Sequence, residues 1–224
     1  MTTNTEFSNV AEDLEWRGAL FDATPGATHA LATEKITCYN GFAPTASSLH
    51  IGSLVPIMGL VRLQQYGHTP IALVGGGTGM IGDPAGRADE RTLMSVTEVD
   101  ENVETIRLQL EPFLDFNAKS NPARMVNNAD WLRKTDLLPF LRDIGKHFTV
   151  NSMMGRDSVK GRFDRDSGIS FTEFSYQLLQ AYDFLTLFEK DQVGFQAGGS
   201  DQWGNILGGV DLIRRIHGAD SEGR

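Results

Sequence analysis

The 224-residue sequence has a single cysteine, Cys38, so no disulfide can form within the chain, as is typical of a reducing cytoplasm. No apolar run approaches the roughly 20 residues that a membrane-spanning helix needs, and residues 1–15 are too polar and acidic for a secretory signal. Basic residues are also few, because 20 lysines and arginines stand against 29 aspartates and glutamates. We therefore expect a cytoplasmic protein whose net charge of −9 argues against a surface dominated by phosphate contacts.

The sequence also lacks the residue spacings of a metal site or of a lysine-bearing phosphate loop. The histidines share no metal-ligand spacing and one cysteine gives no zinc site, so no metal-binding residue is predicted. The glycine-rich segment 75–91 has no lysine where a Walker A motif requires one. Its Arg87 and Arg91 either meet phosphate or RNA, or are solvated loop charges.

Apolar strand-like segments alternate with helical segments, which predicts an α/β fold with a parallel sheet covered by helices on both faces. Residues 1–35 form a predicted N-terminal helical segment, with residues 21–34 a loop or weak helix, and residues 36–224 a domain with a helical insert at about 130–170. The predicted strands are Ile36–Asn40, Thr69–Val74, Arg124–Asn127 and Val193–Ala197, and the predicted helices cover 8–20, 49–66, 99–114, 136–147, 171–189 and 198–216.

The loop 41–53 leaves the first predicted strand and opens a helix, which is where ligands bind on open α/β sheets. Backbone N–H groups at such a helix start attract anions, and His50 would project near a bound phosphate. Gly52, one turn into the predicted helix, would let a flat ring approach the backbone. The alternative is a helix start capped by Ser47 or Ser48, with a surface histidine.

The predicted helix 171–189 is apolar nearly all round, which is typical of a buried helix. Tyr176, Gln180 and Asp183 share one narrow arc of it. Because a buried polar group needs a partner, either the protein or a ligand must supply partners for this arc. Tyr39, Asp83 and Gln202 lie at strand ends or helix starts and could face it.

The segment 196–203 is a strand end, a diglycine turn and a helix start. Asp201 could bind a ligand there or act only as a first-turn acid. The segment 127–131 also ends a strand and starts a helix, and capping explains most of its polar residues.

The string His50-Ile51-Gly52-Ser53, preceded by Pro44-Thr45, resembles the HIGH signature of class I aminoacyl-tRNA synthetases, with Ser53 in place of the second histidine. The wider string 39–52 is similar to the bacterial tyrosyl enzymes in particular. The resemblance runs from about Ile36 onward and includes segments 73–92, 126–131, 168–187 and 196–205.

This resemblance implies a Rossmann-like domain that activates L-tyrosine with ATP, Mg²⁺ entering with the nucleotide. It implies that Tyr39 and Asp183 bind the tyrosine hydroxyl, whereas the amino and carboxylate groups are bound by Asp83, Tyr176, Gln180 and Gln202. The implied ATP-binding residues are Asn40, Gly41, Thr45, His50, Gly52, Ser53, Gly199 and Asp201, of which Thr45 and His50 are the expected catalytic residues.

The resemblance further implies tRNA(Tyr) as a partner of the complete enzyme and a homodimer. The helical insert is the predicted dimer contact, because it is apolar at Leu137, Leu138, Phe140, Leu141 and Ile144. The alternative is that this stretch only covers the sheet. A KMSKS-type lysine loop and an anticodon-binding region are expected in the family but are absent from these 224 residues. The expectation is therefore the catalytic portion of a tyrosine–tRNA ligase. The alternatives are a truncated or paralogous non-catalytic module that binds tyrosine or nucleotide, and a tryptophanyl relative.

Overall fold

A computed structural model of the chain describes residues 7–83, 93–156, 159, 168–218 and 223. Its sheet has four parallel strands in the order β3-β2-β1-β4. The strands are β1 (Thr37–Phe42), β2 (Thr69–Val74), β3 (Arg124–Asn127) and β4 (Val193–Ala197). The parallel α/β architecture predicted from the sequence is confirmed.

Helices connect these strands, and short 3₁₀ turns precede two of the helices at the edge of the sheet where the strands end. No helix in the described residues is long and apolar enough to cross a membrane. The helices are α1 (Val10–Trp16), α2 (Ala27–Thr33), α3 (Leu54–Gln65), α4 (Val96–Leu110), α5 (Ala129–Leu132), α6 (Leu137–Asp143), α7 (Val150–Met154), α8 (Phe171–Asp191) and α9 (Trp203–His217).

The sheet separates two apolar clusters, because successive residues of a strand point to opposite faces. Cys38 and Ala72 pack into one cluster with side chains from α1 to α4. Tyr39 and Ile71 pack into the other, with side chains from α8 and α9. The sheet is therefore covered on both faces, and the buried α8 presents its polar arc towards β1.

The start of α3 differs from the prediction. A 3₁₀ turn at Ile51–Ser53 precedes α3, and its N-cap is His50, so neither Ser47 nor Ser48 caps the helix. The Gln109 side chain of α4 accepts a hydrogen bond from the Leu49 N–H at 2.9 Å and donates one to the Ser47 carbonyl at 3.2 Å. These contacts tie the segment to α4, and Ser47 and Ser48 lie outside the helix.

Two further differences concern the connecting segments. The region predicted as a loop or weak helix contains α2, whose Ala27, Ala30 and Leu31 are buried. In the predicted insert, the described residues form the short helices α5, α6 and α7 rather than one helix spanning 136–147. The division into a segment 1–35 and a domain 36–224 stays a prediction.

Candidate functional site

The carboxyl ends of the strands lie at one edge of the sheet, and the segments that follow them carry most of the predicted site residues. Thr45 follows β1, Asp83 follows β2, and Asp201 and Gln202 follow β4. Crevices at this edge are the usual ligand sites of open α/β sheets. A small cleft there is lined by Ala43, Thr45, Thr78, Gly79, Gly82, Asp83 and Tyr176.

Tyr39 of β1 lies deep beside this edge, and its ring packs against Phe184 at 5.5 Å between ring centroids. Its hydroxyl is buried and has no hydrogen-bond partner among the residues that the structure describes. Burial raises the pKa of Tyr39 well above its usual value, and the charges of Asp183 and then Tyr176 add to the rise. The group is therefore a protonated hydroxyl, with a proton to donate and a carboxylate close by.

Asp183 of α8 is buried, and the protein supplies two hydrogen bonds to it. Asn128 Nδ2 donates to Oδ2 at 2.8 Å, and Trp131 Nε1 donates to Oδ1 at 2.7 Å. Burial raises the pKa of Asp183 to about 7, although both hydrogen bonds lower it. Because each carboxylate oxygen can accept more than one hydrogen bond, Asp183 retains the capacity to accept from a ligand hydroxyl.

Gln202 is the centre of a second polar network. Its Nε2 donates to Asp83 Oδ2 and to Asp201 Oδ2, both at 2.9 Å. Its Oε1 accepts from Gln180 Nε2 at 3.2 Å and from Asn205 Nδ2 at 3.1 Å. The structure thus joins three residues predicted to bind tyrosine to Asp201, which was predicted to bind ATP.

The side chains of Gln180 and Gln196 each bury an amide oxygen without a hydrogen-bond partner in the described chain. Gln196 of β4 is in register with Tyr39 of β1, so both side chains lie on the same face of the sheet. Such unpaired buried acceptors cost free energy unless a ligand or water meets them. They therefore indicate a polar region on the face of the sheet that α8 covers.

The residues predicted to contact phosphates are at the surface. Thr45, His50 and Gly52 are exposed and Ser53 is half-buried. The sequence predicted that a flat ligand ring could lie against Gly52. In the structure the ring of His50 lies there, because a Cβ at Gly52 would be only 2.9 Å from it. The His50 imidazole thus folds over the glycine, which sits in the 3₁₀ turn and not inside α3. His50 and Gly52 do not line the cleft that contains Thr45.

Two predicted nucleotide residues of β1, Asn40 and Gly41, are at the carboxyl end of the strand, Asn40 buried and Gly41 exposed. Gly199 lies directly before the 3₁₀ turn Ser200–Gln202. No group of three or more potential metal ligands occurs in the residues described. Arg87 and Arg91 lie outside the described residues.

The family model of the tRNA synthetases class I (W and Y) matches residues 31–222 of the chain. The chain belongs to this synthetase family. The tyrosine–tRNA ligase of Roseiflexus castenholzii is 54% identical over 216 residues, which cover 96% of this chain and 51% of that protein. The ligase of Neisseria meningitidis serogroup C is 57% identical over 212 residues, covering 93% and 49%. The chain therefore spans about half the length of these curated relatives.

Solved synthetase structures share the fold. A C-terminally truncated mitochondrial tyrosyl-tRNA synthetase of Aspergillus nidulans superimposes with a TM-score of 0.82 at 33% identity, covering 94% of this chain and 62% of that one. The tyrosyl-tRNA synthetase of Archaeoglobus fulgidus, solved with L-tyrosine, gives a TM-score of 0.59 at 18% identity, covering 85% and 54%. At that identity the second likeness speaks for the fold alone.

In this synthetase chain, the segment 127–131 has contacts that the sequence did not reveal. Asn128 Oδ1 accepts from the Gly77 N–H at 2.7 Å, and its Nδ2 donates to Thr78 Oγ1 as well as to Asp183. Asn127 Oδ1 accepts from the Gly76 N–H at 3.2 Å. Capping was therefore an incomplete explanation, since these side chains tie the glycine-rich loop to the polar arc of α8.

Proposed function

We propose that the chain is the tyrosine- and ATP-binding portion of a tyrosine–tRNA ligase. In the proposed reaction it forms tyrosyl-adenylate and pyrophosphate, and the complete protein then transfers the tyrosyl group to tRNA(Tyr). The observation that carries the proposal is the buried, unpartnered hydroxyl of Tyr39 near the buried carboxyl group of Asp183. A phenol entering between them would accept from Tyr39 and donate to Asp183.

This pairing accounts for selection of tyrosine over phenylalanine. The Tyr39 hydroxyl has a proton to donate and no acceptor among the described residues, and a ligand phenol oxygen would supply one. Phenylalanine would fill the pocket but leave the hydroxyl unpaired. An unpaired buried polar group costs about 1–3 kcal/mol, so the discrimination arises from what the wrong ligand fails to satisfy.

The proposed amino-group site lies at the other end of the ligand. Asp83 supplies a negative charge, and Tyr176 and Gln180 supply oxygen atoms that accept hydrogen bonds. Tyr176 lines the same cleft as Asp83, and Gln180 buries an amide oxygen without a described partner. Gln202, hydrogen-bonded to Asp83 and Gln180, would orient the tyrosine carboxylate.

The proposed chemistry is a displacement at phosphorus. A tyrosine carboxylate oxygen forms a bond to the α-phosphorus of ATP as the bond to the pyrophosphate oxygen breaks. The attacking group is already an anion, so no general base is needed, and rate acceleration rests on positioning and charge stabilisation. Thr45 and His50 are proposed to donate to the pyrophosphate, with Mg²⁺ bound to ATP as the substrate complex.

The remaining ATP contacts are proposed around the two turns at the edge of the sheet. Asp201 would bind the ribose hydroxyls beside Gly199. The backbone at Asn40, Gly41 and Gly52, with the Ser53 side chain, would contact the nucleotide. The support for Asn40, Gly41, Gly199 and Asp201 is their placement at the ends of β1 and β4, where the two strands run side by side, and Gly52 and Ser53 lie in the 3₁₀ turn that precedes α3.

A homodimer through the helical insert is also proposed. Leu137, Leu138 and Leu141 of α6 are exposed, whereas Phe140 packs on Tyr182 and Ile144 is buried in the chain's own core. Of the five predicted contact residues, the three leucines are available to a second copy. We expect Leu138→Asp to convert a dimer into a monomer in light scattering at micromolar concentration, and a wild-type chain that is already monomeric would contradict the dimer.

Calorimetric titration of the chain with tyrosine, phenylalanine and tryptophan tests the proposed function. Tyrosine should bind most tightly, and Asp183→Ala should reduce its advantage over phenylalanine. An unchanged ratio between the two ligands in that variant would show that the pocket is assigned to the wrong residues.

A further inference from the structure

The side-chain amide of Gln202 can be oriented in two ways, and the two orientations have opposite consequences for the site. In the observed orientation its Nε2 donates to the carboxylates of Asp83 and Asp201 at 2.9 Å each. After a rotation by 180° its oxygen would face both carboxylates, which only accept hydrogen bonds when ionised. The function of Gln202 therefore depends on what holds the amide in place.

Two donors hold the oxygen end of this amide. Gln180 Nε2 lies 3.2 Å from Gln202 Oε1, and Asn205 Nδ2 lies 3.1 Å from it. Asn205 is on the first turn of α9, and only 4% of its surface is exposed. A buried donor on a helix is a more rigid support than the longer side chain of Gln180.

We propose that Asn205 is a positioning residue that fixes the donor direction of Gln202. With its orientation fixed in this way, the Gln202 amide donates one hydrogen bond to Asp83, predicted to bind the amino group, and one to Asp201, predicted to bind the ribose. This inference rests on the proposed function for the meaning of the two acids. The amide geometry itself depends only on the contacts described above.

Asp83 and Asp201 share a single donor group, the side-chain nitrogen of Gln202. Gln202 Nε2 has two protons, and each is directed at a different carboxylate. A ligand ammonium group that binds Asp83 would release the proton directed at that carboxylate, and this proton could then meet the tyrosine carboxylate that Gln202 is proposed to orient. Asn205 thereby links the amino-acid end of the site to the nucleotide end.

The sharpest perturbation is Asn205→Asp, because it keeps the size of the side chain and replaces the donating Nδ2 with an acceptor. Two acceptors would then face each other across about 3 Å, so the Gln202 amide must rotate or move. We expect tyrosine affinity to fall about tenfold, the effect of losing one buried hydrogen bond and opposing its partner. Asn151→Asp, at an exposed position of α7, adds the same charge as a matched control and should leave affinity unchanged.

The test is a double-mutant cycle measured by calorimetry with L-tyrosine on the 224-residue chain. If Asn205 acts through Gln202, then Asn205→Asp should have no further effect in a Gln202→Ala background. An equal loss in both backgrounds would overturn the proposal, as would wild-type affinity in folded Asn205→Asp. A general structural defect caused by Asn205→Asp would lower the affinity equally in both backgrounds.

A second ligand separates this inference from the proposed function. The tyrosine analogue 3-(4-hydroxyphenyl)propionate lacks the amino group, so Asn205→Asp should weaken it less than it weakens tyrosine. Because the analogue keeps the carboxylate that Gln202 is proposed to orient, some weakening is expected, and a greater weakening of the analogue than of tyrosine would overturn the inference. If the wild-type chain binds neither ligand, the proposed function fails. The inference is then decided by the same cycle measured on the free energy of unfolding, in which the two substitutions must be non-additive.

Discussion

The ionisation of Asp183 gives the most quantitative prediction of the structure. Burial raises its pKa from 3.8 to about 7, so the folded chain holds the proton more tightly than the unfolded chain. The associated stability is fully present below the unfolded pKa and is lost as the pH rises through 7. The substitution Asp183→Asn replaces the carboxyl group with an amide that does not titrate, so the variant lacks this slope.

The expected size of the effect follows from the pKa shift. Each pKa unit is worth about 1.4 kcal/mol. Of the pH range from 5.5 to 8.5, about 1.5 pH units lie below the folded pKa, and stability falls over that part. The wild-type free energy of unfolding should therefore fall by about 2 kcal/mol relative to Asp183→Asn over this range. The range begins above the sequence pI of about 5.0, where the chain is least soluble.

Urea unfolding followed by circular dichroism at several pH values measures this difference. The substitution also places an amide N–H₂ against Asn128 Nδ2 or Trp131 Nε1, which both donate to Asp183. That mismatch lowers stability by about 1–3 kcal/mol at every pH, so it shifts the curve without changing its slope. Parallel pH curves for the wild type and the variant would refute the account of Asp183.

Two further substitutions test the surroundings of the pocket. Trp131→Phe removes a donor to Asp183, so tyrosine affinity should fall about tenfold in calorimetry; unchanged affinity would show that this hydrogen bond does not orient the carboxylate. Gly76→Ala would place a Cβ 2.4 Å from Asn127 Oδ1 and should lower the free energy of unfolding by about 1–3 kcal/mol. Gly59→Ala, in the interior of α3 with no neighbour within 4 Å, is its control and should gain about 0.5–1 kcal/mol; equal losses for the two glycines would contradict the steric argument.

Periodicity was enough to predict the elements that form the framework of the site. The bounds of β3 and β4 match the prediction, and α8 is buried as its apolar faces indicated. These features depend on local composition and on burial, which the sequence expresses directly. The start of α3 could not be predicted in this way, because Gln109 holds the preceding segment from about 60 residues away.

The candidate site could be predicted only where it depends on a local pattern. The polar arc of α8 is visible as a helical pattern, and its burial requires partners. The partners of Asp183 come from a segment more than 50 residues earlier, so no spacing rule connects Asn128 and Trp131 to it. A signal was present in the form of two consecutive asparagines after a strand, but helix capping explained them equally well.

The measurement that tests the central claim most directly is the ratio of tyrosine to phenylalanine affinity in the wild-type chain. A phenol gives the buried hydroxyl of Tyr39 an acceptor, whereas a phenyl ring leaves that hydroxyl unpaired. Losing this one partner costs about 1–3 kcal/mol, which predicts that calorimetry will find phenylalanine about five- to 150-fold weaker. Equal affinities for the two amino acids would contradict the assignment of this pocket to tyrosine.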